Sequence, residues 1–396
     1  MRLYLLALNP TDSVTEGFLP AARRLSLEVT VLTDLPEPHR LRSPDVEVLA
    51  CDVRDHRAVI STIATHHRPD AVFTNSDHLQ TQAALAAAYF DLPAKDWRAA
   101  LRTKDKAEMR RHLAATGADT VRSAELAAGQ DPTDLLAATV PFPCVVKPRE
   151  GVASEDVVLA GTPDELVLRC KEIQQRRPGA ALVVEEYLAG ELHTLETLGD
   201  GRIRHVLGGF RTQISPPPYF IEERHTYVPA HPEPVVTQVL AQLDALGVGF
   251  GACHTEFVVH EGRARIIEVN YRVIGDQCDL MLQQLLDIPL FEHILRTHLG
   301  EPLPTDLAAR DDGRARIDHL CATSAGTLTE APAAADLTVD GVHLAYRPLR
   351  EVGERHELHH TNRDYVGVLR ATGTDQAAVD RAVERFLADQ RWEFTP

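Results

Sequence analysis

Apolar runs of strand length alternate with amphipathic stretches over the first hundred residues of the chain. The segments LYLLALN (3–9) and LEVTVLTD (27–34) are rich in branched apolar side chains, whereas VTEGFLPAARRL between them has helical spacing. The same alternation returns in DAVFTN (70–75) and in the alanine-rich stretch after it. Strands that alternate with helices predict βαβ units and a parallel sheet. We therefore expect an α/β protein that begins with a Rossmann-like domain over residues 1–100.

The two usual phosphate-binding loops are missing from this pattern. The first predicted strand is not followed by G-x-G-x-x-G, and G-x-x-x-x-G-K-[ST] does not occur in the sequence. The stretch GVGFG (247–251) follows a predicted helix and precedes a predicted strand. A dinucleotide-binding turn requires the reverse order, so GVGFG is expected to cap a helix and open a hairpin. The N-terminal segment is therefore not expected to hold a nucleotide alone.

A helix and a strand in the middle of the chain carry lysines at their ends. In KDKAEMRRHLAATG, Lys106 lies near the helix start and Gly117 suits a left-handed C-cap. An apolar strand (143–146) then ends at Lys147 and leads into a loop of small residues, with Ser154 as a candidate ligand. An ammonium beside the N–H groups of such a loop can hold a polyphosphate. A lysine before a proline is also common at ordinary loop starts, so both interpretations stand at this point.

The stretch IIEVNYRVIGD (266–276) carries polar side chains at alternate positions of a predicted strand. Residues two apart on a strand share a face, so Glu268, Asn270 and Arg272 are expected to point to one side. A solvent-facing strand edge would show the same alternation, so the spacing alone leaves both interpretations open.

A second acid lies on the segment that precedes this strand. A predicted helix over about 234–246 leads into GFGACHTEFVVHEGRARIIEVNYR, which has the pattern of a β-hairpin, with Glu256 on its first strand. Glu256 and Glu268 share a face only if the turn around Gly262 has an odd number of residues or the hairpin carries a bulge. In that case both carboxylates converge with an amide, and such hard oxygen ligands suit Mg²⁺. Arg272 could then neutralise charge on a transferring phosphoryl group.

Composition narrows the class of protein. A chain of 396 residues suits two or three domains, and 44% hydrophobic and 25% charged residues are ordinary for a globular protein. No apolar run is long enough to cross a bilayer and no signal-peptide pattern opens the chain, so we expect a cytoplasmic protein with no membrane partner. The net charge of −17 argues against a nucleic-acid partner. The six cysteines lack C-x-x-C spacing, so neither disulfides nor a cysteine zinc site is expected.

Five stretches, taken in order, resemble the motifs of the ATP-grasp ligases, whose two lobes hold ATP between them. They are DKAEMR, PCVVKP with its small-residue loop, VVEEYLAG, HTEF and IIEVNYR. The resemblance implies an ATP-grasp domain over 101–300, a pre-ATP-grasp domain over 1–100, and a C-terminal α+β domain over 301–396 that follows the linker EPLPTDLAARDDGRAR. It also implies a carboxylate–amine ligase of the EC 6.3 type, which forms an acyl-phosphate and then an amide, and releases ADP and phosphate.

The resemblance implies roles for individual residues. The positions that match nucleotide-binding residues are Lys106, Lys147, Glu185, Glu186 and Leu188. The lysines match phosphate contacts, Glu185 the contact with the adenine amino group, and the other two the backbone contacts with the adenine edge. The positions that match ligands of Mg²⁺ or Mn²⁺ are Glu256, Glu268 and Asn270. Arg272 matches the residue that serves the acyl-phosphate, so it and Lys147 are the expected catalytic residues.

Two positions depart from the family's pattern. The acid that contacts the ribose normally stands two residues beyond the hinge glycine, where this chain has Leu192, so Glu191 is the candidate for that contact. The stretch NYRVIGD replaces the commoner N-P-R and is most similar to ATP-grasp ligases of siderophore and other specialised-metabolite pathways. We therefore expect small-molecule carboxylate and amine substrates and a peptide-like or siderophore-like product. The identity of both substrates and the choice between monomer and homodimer stay open. Candidates for the substrate pocket are Arg211, Tyr219, Arg224 and His254.

Two alternatives belong to other classes. RHELHH contains H-E-x-x-H, which on a helix would let His356 and His360 bind zinc with Glu357 as the base of a metallopeptidase. Gly353 before it and the polar stretch 361–364 after it leave no long amphipathic helix, so a solvated loop between strands is the competing expectation. The other alternative is a nucleotide-binding regulator without turnover. Bound zinc, or ATP binding without ADP release, would distinguish these alternatives from a ligase.

Overall fold

The first sheet of the protein is the parallel sheet that the N-terminal pattern predicts. The computed structural model describes residues 1–137 and 140–396. The strands are β1 (Arg2–Leu6), β2 (Glu28–Thr33), β3 (Glu47–Ala50) and β4 (Ala71–Phe73), in the order β3-β2-β1-β4. A π-helical segment (Ser13–Phe18) and five helices accompany it: α1 (Leu19–Arg24), α2 (Pro36–Arg42), α3 (His56–Ala64), α4 (Gln80–Tyr89) and α5 (Trp97–Lys104).

Both faces of this sheet are buried, and β1 shows why. Its residues alternate between two cores, because successive side chains of a strand point to opposite faces. Leu3 and Leu5 pack on one face with Phe18 and with residues of a later helix, whereas Tyr4 and Leu6 pack on the other with α3 and α4. The chain reverses its direction of winding at β1, since β2 and β3 lie on one side of it and β4 on the other. Ligands of parallel sheets bind at such a point, beyond the carboxyl ends of the strands.

The second sheet is antiparallel, with the order β5-β8-β6-β7. Helix α6 (Lys106–Thr116) leads into it, and the elements that follow are β5 (Ser123–Leu126), β6 (Cys144–Pro148), β7 (Val158–Ala160), α7 (Pro163–Arg176) and β8 (Leu182–Glu186). The Asp105 carboxylate caps α6 by accepting the N–H groups of Ala107 and Glu108, and Gly117 ends the helix at φ 70°, as predicted. Strand β6 runs through Lys147 to Pro148 instead of ending at residue 146. Helix α7 covers the sheet with an apolar stripe.

The third sheet has ten strands and contains the predicted hairpin. Its first six strands are β9 (Leu192–Asp200), β10 (Arg204–Val206), β11 (Gly209–Ile214), β12 (Glu222–Val228), β13 (Phe250–His260) and β14 (Arg263–Asn270). Helix α8 (Glu233–Leu246) precedes β13 and ends at Gly247, so GVGFG is a helix cap and hairpin entry as predicted. Helices α9 (Cys278–Leu286) and α10 (Leu290–His298) follow the hairpin. Phe291 of α10 lies against Phe18, which joins the hairpin's lobe to the parallel sheet.

The C-terminal residues continue the same ten-stranded sheet. After a stretch at 299–313 without helix or strand, where the linker was predicted, come β15 (Arg314–Cys321), β16 (Gly326–Glu330), β17 (Ala335–Val339), β18 (Val342–Pro348), β19 (Arg355–His356), β20 (Tyr365–Gly373), α11 (Gln376–Ala388) and β21 (Glu393–Thr395). The order β14-β13-β9-β11-β12-β15-β20-β18-β17 joins β12 directly to β15. Strands β19, β16 and β21 form a small separate sheet. The predicted domain boundary at 300 therefore crosses one continuous sheet.

Helix length and composition bear on the membrane prediction. Across residues 1–137 and 140–396, none of the helices combines the length and the apolar character that a bilayer span requires.

Candidate functional site

A cavity of about 620 Å³ lies where the three larger sheets meet. This volume is in the range of small-molecule sites. The predicted site residues that line it are Lys106, Lys147, Ser154, Glu185, Glu186, Leu188, Glu256, Glu268, Asn270 and Arg272. Glu191 is not brought to the cavity, because its side chain is 69% exposed and lies near His193, whereas Leu192 lines the wall. The ribose contact predicted for Glu191 therefore has no support from its position.

The nucleotide-side wall is built around one buried carboxylate. Glu185 accepts hydrogen bonds from Arg110 at 3.0 Å (Nε) and 2.8 Å (Nη2), and from Lys147 Nζ at 2.8 Å. Burial opposes ionisation of Glu185, but the charges of Arg110 and Lys147 outweigh it and lower the pKa to about 2. Glu185 is therefore an anion held between two cations. Sequence reasoning missed Arg110, although it stands four residues after Lys106 on α6 and so shares its face.

Lys106 links the phosphate-side elements to the hairpin. Its Nζ lies 2.8 Å from Glu268 Oε1 and 3.5 Å from the Gly151 carbonyl oxygen. Burial alone would lower the pKa of Lys106, but the facing Glu268 carboxylate outweighs burial, so the net shift of the pKa is upward. The ammonium therefore stays charged at neutral pH, within reach of any anion that enters between the two lobes.

The loop after β6, residues 149–157, is called the phosphate loop below. Ala153, Ser154 and Asp156 have φ of 57°, 55° and 56°, a left-handed conformation that non-glycine residues rarely adopt. Ser154 donates its hydroxyl hydrogen to the Phe220 carbonyl oxygen at 2.7 Å. The Ser154 side chain thus bonds to the opposite side of the cavity in this conformation.

The hairpin brings its two acids together by a bulge. The turn has two residues, Glu261 and Gly262, so the alternative of an odd-numbered turn is wrong. Glu256 pairs directly with Glu268, whereas the next residue, Phe257, pairs with Ile266. Ile267 is therefore an extra residue with no partner on β13. It shifts the side-chain alternation of β14 by one position, so that Glu256 and Glu268 share a face. Asn270 Nδ2 lies 3.3 Å from Glu256 Oε1, which brings the amide into the same group.

This group has the donor chemistry for magnesium but does not form a full protein cage. Within residues 1–137 and 140–396, no group of three or more His, Cys, Asp and Glu side chains is placed to hold a metal ion. Two carboxylates and one amide oxygen suit Mg²⁺ when water and phosphate oxygens complete its coordination. Glu256, Glu268 and Asn270 would be the protein ligands, and Glu268 would then share its carboxylate with Lys106.

Arg272 lines the cavity, but not by strand periodicity. Strand β14 ends at Asn270, and the Arg272 N–H donates to the Asn270 carbonyl oxygen at 2.7 Å in a tight turn, so the prediction that a strand directs Arg272 is wrong. Its Nε lies 3.9 Å from Asp77 Oδ1. Burial raises the pKa of Asp77, but Arg272 and Lys104 lower it more, so the net shift is downward. Asp77 lies shortly after β4, where the switch-point rule places ligand-facing residues.

A third group of lining residues, Glu222, His254 and Asp276, is called the far wall below. His254 Nδ1 lies 2.7 Å from Glu196, which, with Glu256, raises the pKa of the imidazole to about 10 against the effect of burial. Burial and the nearby Glu256 and Asp276 charges raise the pKa of Glu222 to about 8. Among the described residues no Lys or Arg forms a salt bridge with Glu222. Of the predicted substrate-pocket candidates, only His254 lines this cavity.

The H-E-x-x-H stretch does not form a zinc site. His356 lies on β19 and His360 lies beyond it in a loop, so no helix places them one turn apart. The expectation of a solvated loop is also wrong for His356, which is buried with Nε2 3.0 Å from Asp364 Oδ1. Asp364 also accepts the N–H groups of His359 at 2.9 Å and His360 at 2.6 Å. The H-E-x-x-H stretch is therefore part of a loop that wraps around the Asp364 carboxylate.

Comparison with known sequences finds a family model and a relative for this chain. The family model of the ATP-grasp domain matches residues 140–280, which run from just before β6 to the first turn of α9. The chain is also 27% identical to the uncharacterised protein y4rH of Sinorhizobium fredii (strain NBRC 101917 / NGR234), over 100% of this chain and 84% of that protein.

Three solved structures have a similar fold along the whole chain. The L-amino acid ligase from Bacillus licheniformis has 20% identity and a TM-score of 0.80, covering 100% of this chain and 99% of that one. Phosphoribosylglycinamide synthetase from Anaerococcus prevotii has 14% identity and a TM-score of 0.73, with 100% and 99% covered. N5-carboxyaminoimidazole synthetase from Staphylococcus aureus, complexed with ADP, has 14% identity and a TM-score of 0.68, with 98% and 96% covered. At these identities the likeness is one of fold.

Proposed function

This chain contains an ATP-grasp domain, and from that premise we propose that it is an ATP-dependent ligase that joins a carboxylate to an amine. The observation that carries the proposal is the convergence of buried Lys106 and Lys147, the paired acids Glu256 and Glu268, and Arg272 on one cavity. These residues come from α6, β6, the hairpin and the turn after it. Cations and hard oxygen donors that line one cavity suit a polyphosphate and its metal ion.

The reaction divides into two displacements. In the first, a carboxylate oxygen of the acid substrate attacks the γ-phosphorus of ATP, and ADP leaves. In the second, the amine nitrogen attacks the acyl carbon, the bond to the phosphate oxygen breaks, and the amine gives up a proton. Lys106, Lys147 and the phosphate loop would hold the phosphates, and Arg272 would hold oxygens of the transferring phosphoryl group. Magnesium held by Glu256, Glu268 and Asn270 would supply positive charge to the phosphates.

The adenine and substrate positions are part of the same proposal. The backbone of Glu186 and Leu188, at and just after the end of β8, would contact the adenine edge. Glu185 was expected to contact the adenine amino group, but both of its oxygens bond to Arg110 and Lys147, so we propose that it acts mainly by holding these two cations in place. The acid and amine would bind between Arg272 and the far wall. An amino acid is the first acid to test, because a protein of the same fold is an L-amino acid ligase. We also propose a peptide-like or siderophore-like product and a cytoplasmic location.

The test is a hydroxamate assay, because hydroxylamine traps acyl-phosphates as hydroxamates. Wild-type protein with ATP, Mg²⁺, hydroxylamine and a panel of acids that includes the amino acids should yield ADP and one or more hydroxamates. Arg272→Lys should bind ATP yet form hydroxamate roughly a thousandfold more slowly, because lysine cannot hold two phosphoryl oxygens in the plane of a guanidinium.

Two outcomes would contradict the proposed reaction, and a third would contradict only the role of Arg272. AMP and pyrophosphate as products would indicate an acyl-adenylate. ATP binding without ADP release for any acid would favour a regulator that binds the nucleotide without turnover. An Arg272→Lys variant with the wild-type rate would remove Arg272 from the chemical step while leaving the ligase class intact.

A further inference from the structure

The loop that carries the last part of the H-E-x-x-H stretch, residues 359–364, contacts two walls of the cavity. It is called the C-terminal loop below. The Asn362 N–H donates to the Ala153 carbonyl oxygen of the phosphate loop at 3.2 Å. The Asn362 side chain donates from Nδ2 to Glu222 Oε2 at 3.0 Å, and its Oδ1 accepts the Glu222 N–H at 3.2 Å. One buried residue therefore bonds to the phosphate loop through its backbone and to the far wall through its amide.

Two further contacts join the same segments. The Arg363 guanidinium forms an ion pair with Glu155 of the phosphate loop. Ser154 of the phosphate loop donates to the Phe220 carbonyl oxygen, two residues before Glu222. The phosphate loop, the C-terminal loop and the segment that carries Glu222 are thus bonded pairwise into a closed triangle. A displacement of any one of them strains contacts with both others.

The three sides of this triangle differ in rigidity. The C-terminal loop is fixed from within, because buried Asp364 accepts one ring hydrogen bond from His356 and two backbone N–H groups. The His360 ring also stacks on Tyr219 with centroids 4.4 Å apart and planes 1° apart. The phosphate loop places three non-glycine residues at positive φ, a conformation that persists only when surrounding contacts hold it, whereas the C-terminal loop places one, His360 at 57°, where Asp364 and Tyr219 hold it. The C-terminal loop is therefore the fixed element, and the phosphate loop is the one whose conformation depends on it.

From this arrangement we infer that the C-terminal loop couples closure of the phosphate loop over the nucleotide to the position of Glu222, with Arg363 and Asn362 as positioning residues. The inference rests on the proposed function in one respect, that a nucleotide binds beneath the phosphate loop. Arg363 carries the coupling from the phosphate loop to the C-terminal loop, and the Asn362 amide carries it on to the far wall. Because binding coupling is reciprocal, a ligand at the far wall would also favour the closed phosphate loop.

Hydrogen exchange with MgADP as the probe tests this inference without a known substrate. In wild-type protein, MgADP should slow amide exchange in 149–157, in 355–366 and in 219–225. Arg363→Ala should retain the slowing at 149–157 but lose part of it at 355–366, because the Asn362 N–H still bonds to Ala153, and its Kd for MgADP should rise about two- to fivefold, the value of an exposed ion pair. Asn362→Ala keeps its backbone N–H, so slowing should persist at 149–157 and 355–366 and diminish at 219–225.

The matched control is Glu357→Gln, which changes an exposed carboxylate in the same segment and should behave as wild type. Each variant counts as folded if, without ligand, its amide exchange rates in β1 and β4 match those of the wild-type protein. The inference is overturned if MgADP slows exchange at 149–157 in wild type but not at 355–366, or if both variants keep all three responses. If wild type shows no response at 149–157 and no MgADP binding by calorimetry, the nucleotide site itself fails, which is a different pattern.

Discussion

The two walls of the cavity treat their buried charges in opposite ways. On the nucleotide side, Glu185 is held between Arg110 and Lys147, and Lys106 faces Glu268, so each charge has an opposite charge within 3 Å. On the far wall, Glu222 bonds to a neutral amide, and burial together with the nearby Glu256 and Asp276 charges raises the pKa of its carboxyl to about 8. Glu185 on the first wall stays ionised through its partners, whereas Glu222 on the second reduces its charge by keeping a proton.

This difference shows what each wall is prepared to receive. Burying an unpaired ion costs several kcal/mol. On the nucleotide side, opposite charges of the protein itself offset this cost before a ligand binds. A phosphate that enters has to compete with Glu185 and Glu268 for the two lysines. The nearest cation to Glu222 is His254, which is already paired with Glu196, so a positively charged or proton-donating group of a ligand would complete the surroundings of Glu222. Substitutions of Arg110, Lys147 and Glu222 test this difference.

Removal of Arg110 should have the largest effect, because it breaks the paired wall from within. Arg110→Met leaves Glu185 with one cation in place of two, and loss of one partner of a buried ion pair typically costs 3–5 kcal/mol. We expect the free energy of unfolding at pH 7 to fall by about 3 kcal/mol in urea denaturation monitored by circular dichroism.

Arg111 provides the control, since it is the next residue on α6 and its ion pairs with Glu108 and Glu125 are exposed. Arg111→Met should change the free energy of unfolding by less than about 1 kcal/mol. Equal losses in the two variants would mean that burial does not distinguish the Glu185 cluster from a surface ion pair.

Removal of Lys147 should affect ligand binding more than folding, because Arg110 still neutralises Glu185. A hydrogen bond to a charged group is worth about 1.5–3 kcal/mol, so Lys147→Met should weaken MgADP binding roughly 10- to 100-fold in isothermal titration. Lys171→Met, which alters an exposed lysine on α7, should bind as wild type. A Lys147→Met variant with unchanged affinity would show that this ammonium serves Glu185 alone.

The stability of the folded protein should depend on pH through the ionisation of Glu222. Its pKa is about 8 when folded against an ordinary value of 4.5, so the folded state holds the extra proton between these pH values. Wild-type stability should therefore lose a contribution as pH rises from about 4.5 to 8 and should lose no more from Glu222 above that. Glu222→Gln has no carboxyl to ionise and lacks this loss, so its stability relative to wild type should increase as the pH rises from 5 to 8 and then stay constant up to pH 9.

Thermal and urea unfolding over that pH range would measure the gain. Glu223→Gln removes a carboxylate from the next position of β12 and so reports the effect of net charge alone. A constant difference between Glu222→Gln and wild type at all pH values would mean that Glu222 is ionised in the folded protein at neutral pH.

Local patterns were enough to predict much of the frame and several parts of the site. Helical spacing and a glycine cap predicted α6, and alternation predicted the hairpin that carries Glu256 and Glu268. These features depend on neighbours in the sequence, whose geometry is fixed by the 3.6- and two-residue periods. The bulge at Ile267 was one of two open alternatives, because nothing local states whether a turn or a strand absorbs the extra residue.

Contacts between distant segments could not be predicted in this way. Glu222 and Asn362 are 140 residues apart and meet only because β12 lies beside the C-terminal strands. His356 looked like a zinc ligand or a solvated residue, but its environment is set by Asp364 and by the small sheet of β16, β19 and β21. Arg272 was placed by extending a strand two residues too far, and only the tight turn after Asn270 shows how it reaches the cavity.

The pairing of β12 with β15 limits how this protein can be dissected or recombined. Arg224, His225 and Thr226 pair with residues 316–318 across the predicted boundary at 300. A gene truncated there would leave this strand edge unpaired in the middle of what was a ten-stranded sheet, and an exposed edge of that kind invites aggregation. The C-terminal segment is therefore unsuited to exchange between relatives as a separate cassette. A chimaera should take its crossover between β8 and β9, so that both partners of each strand pair are inherited together.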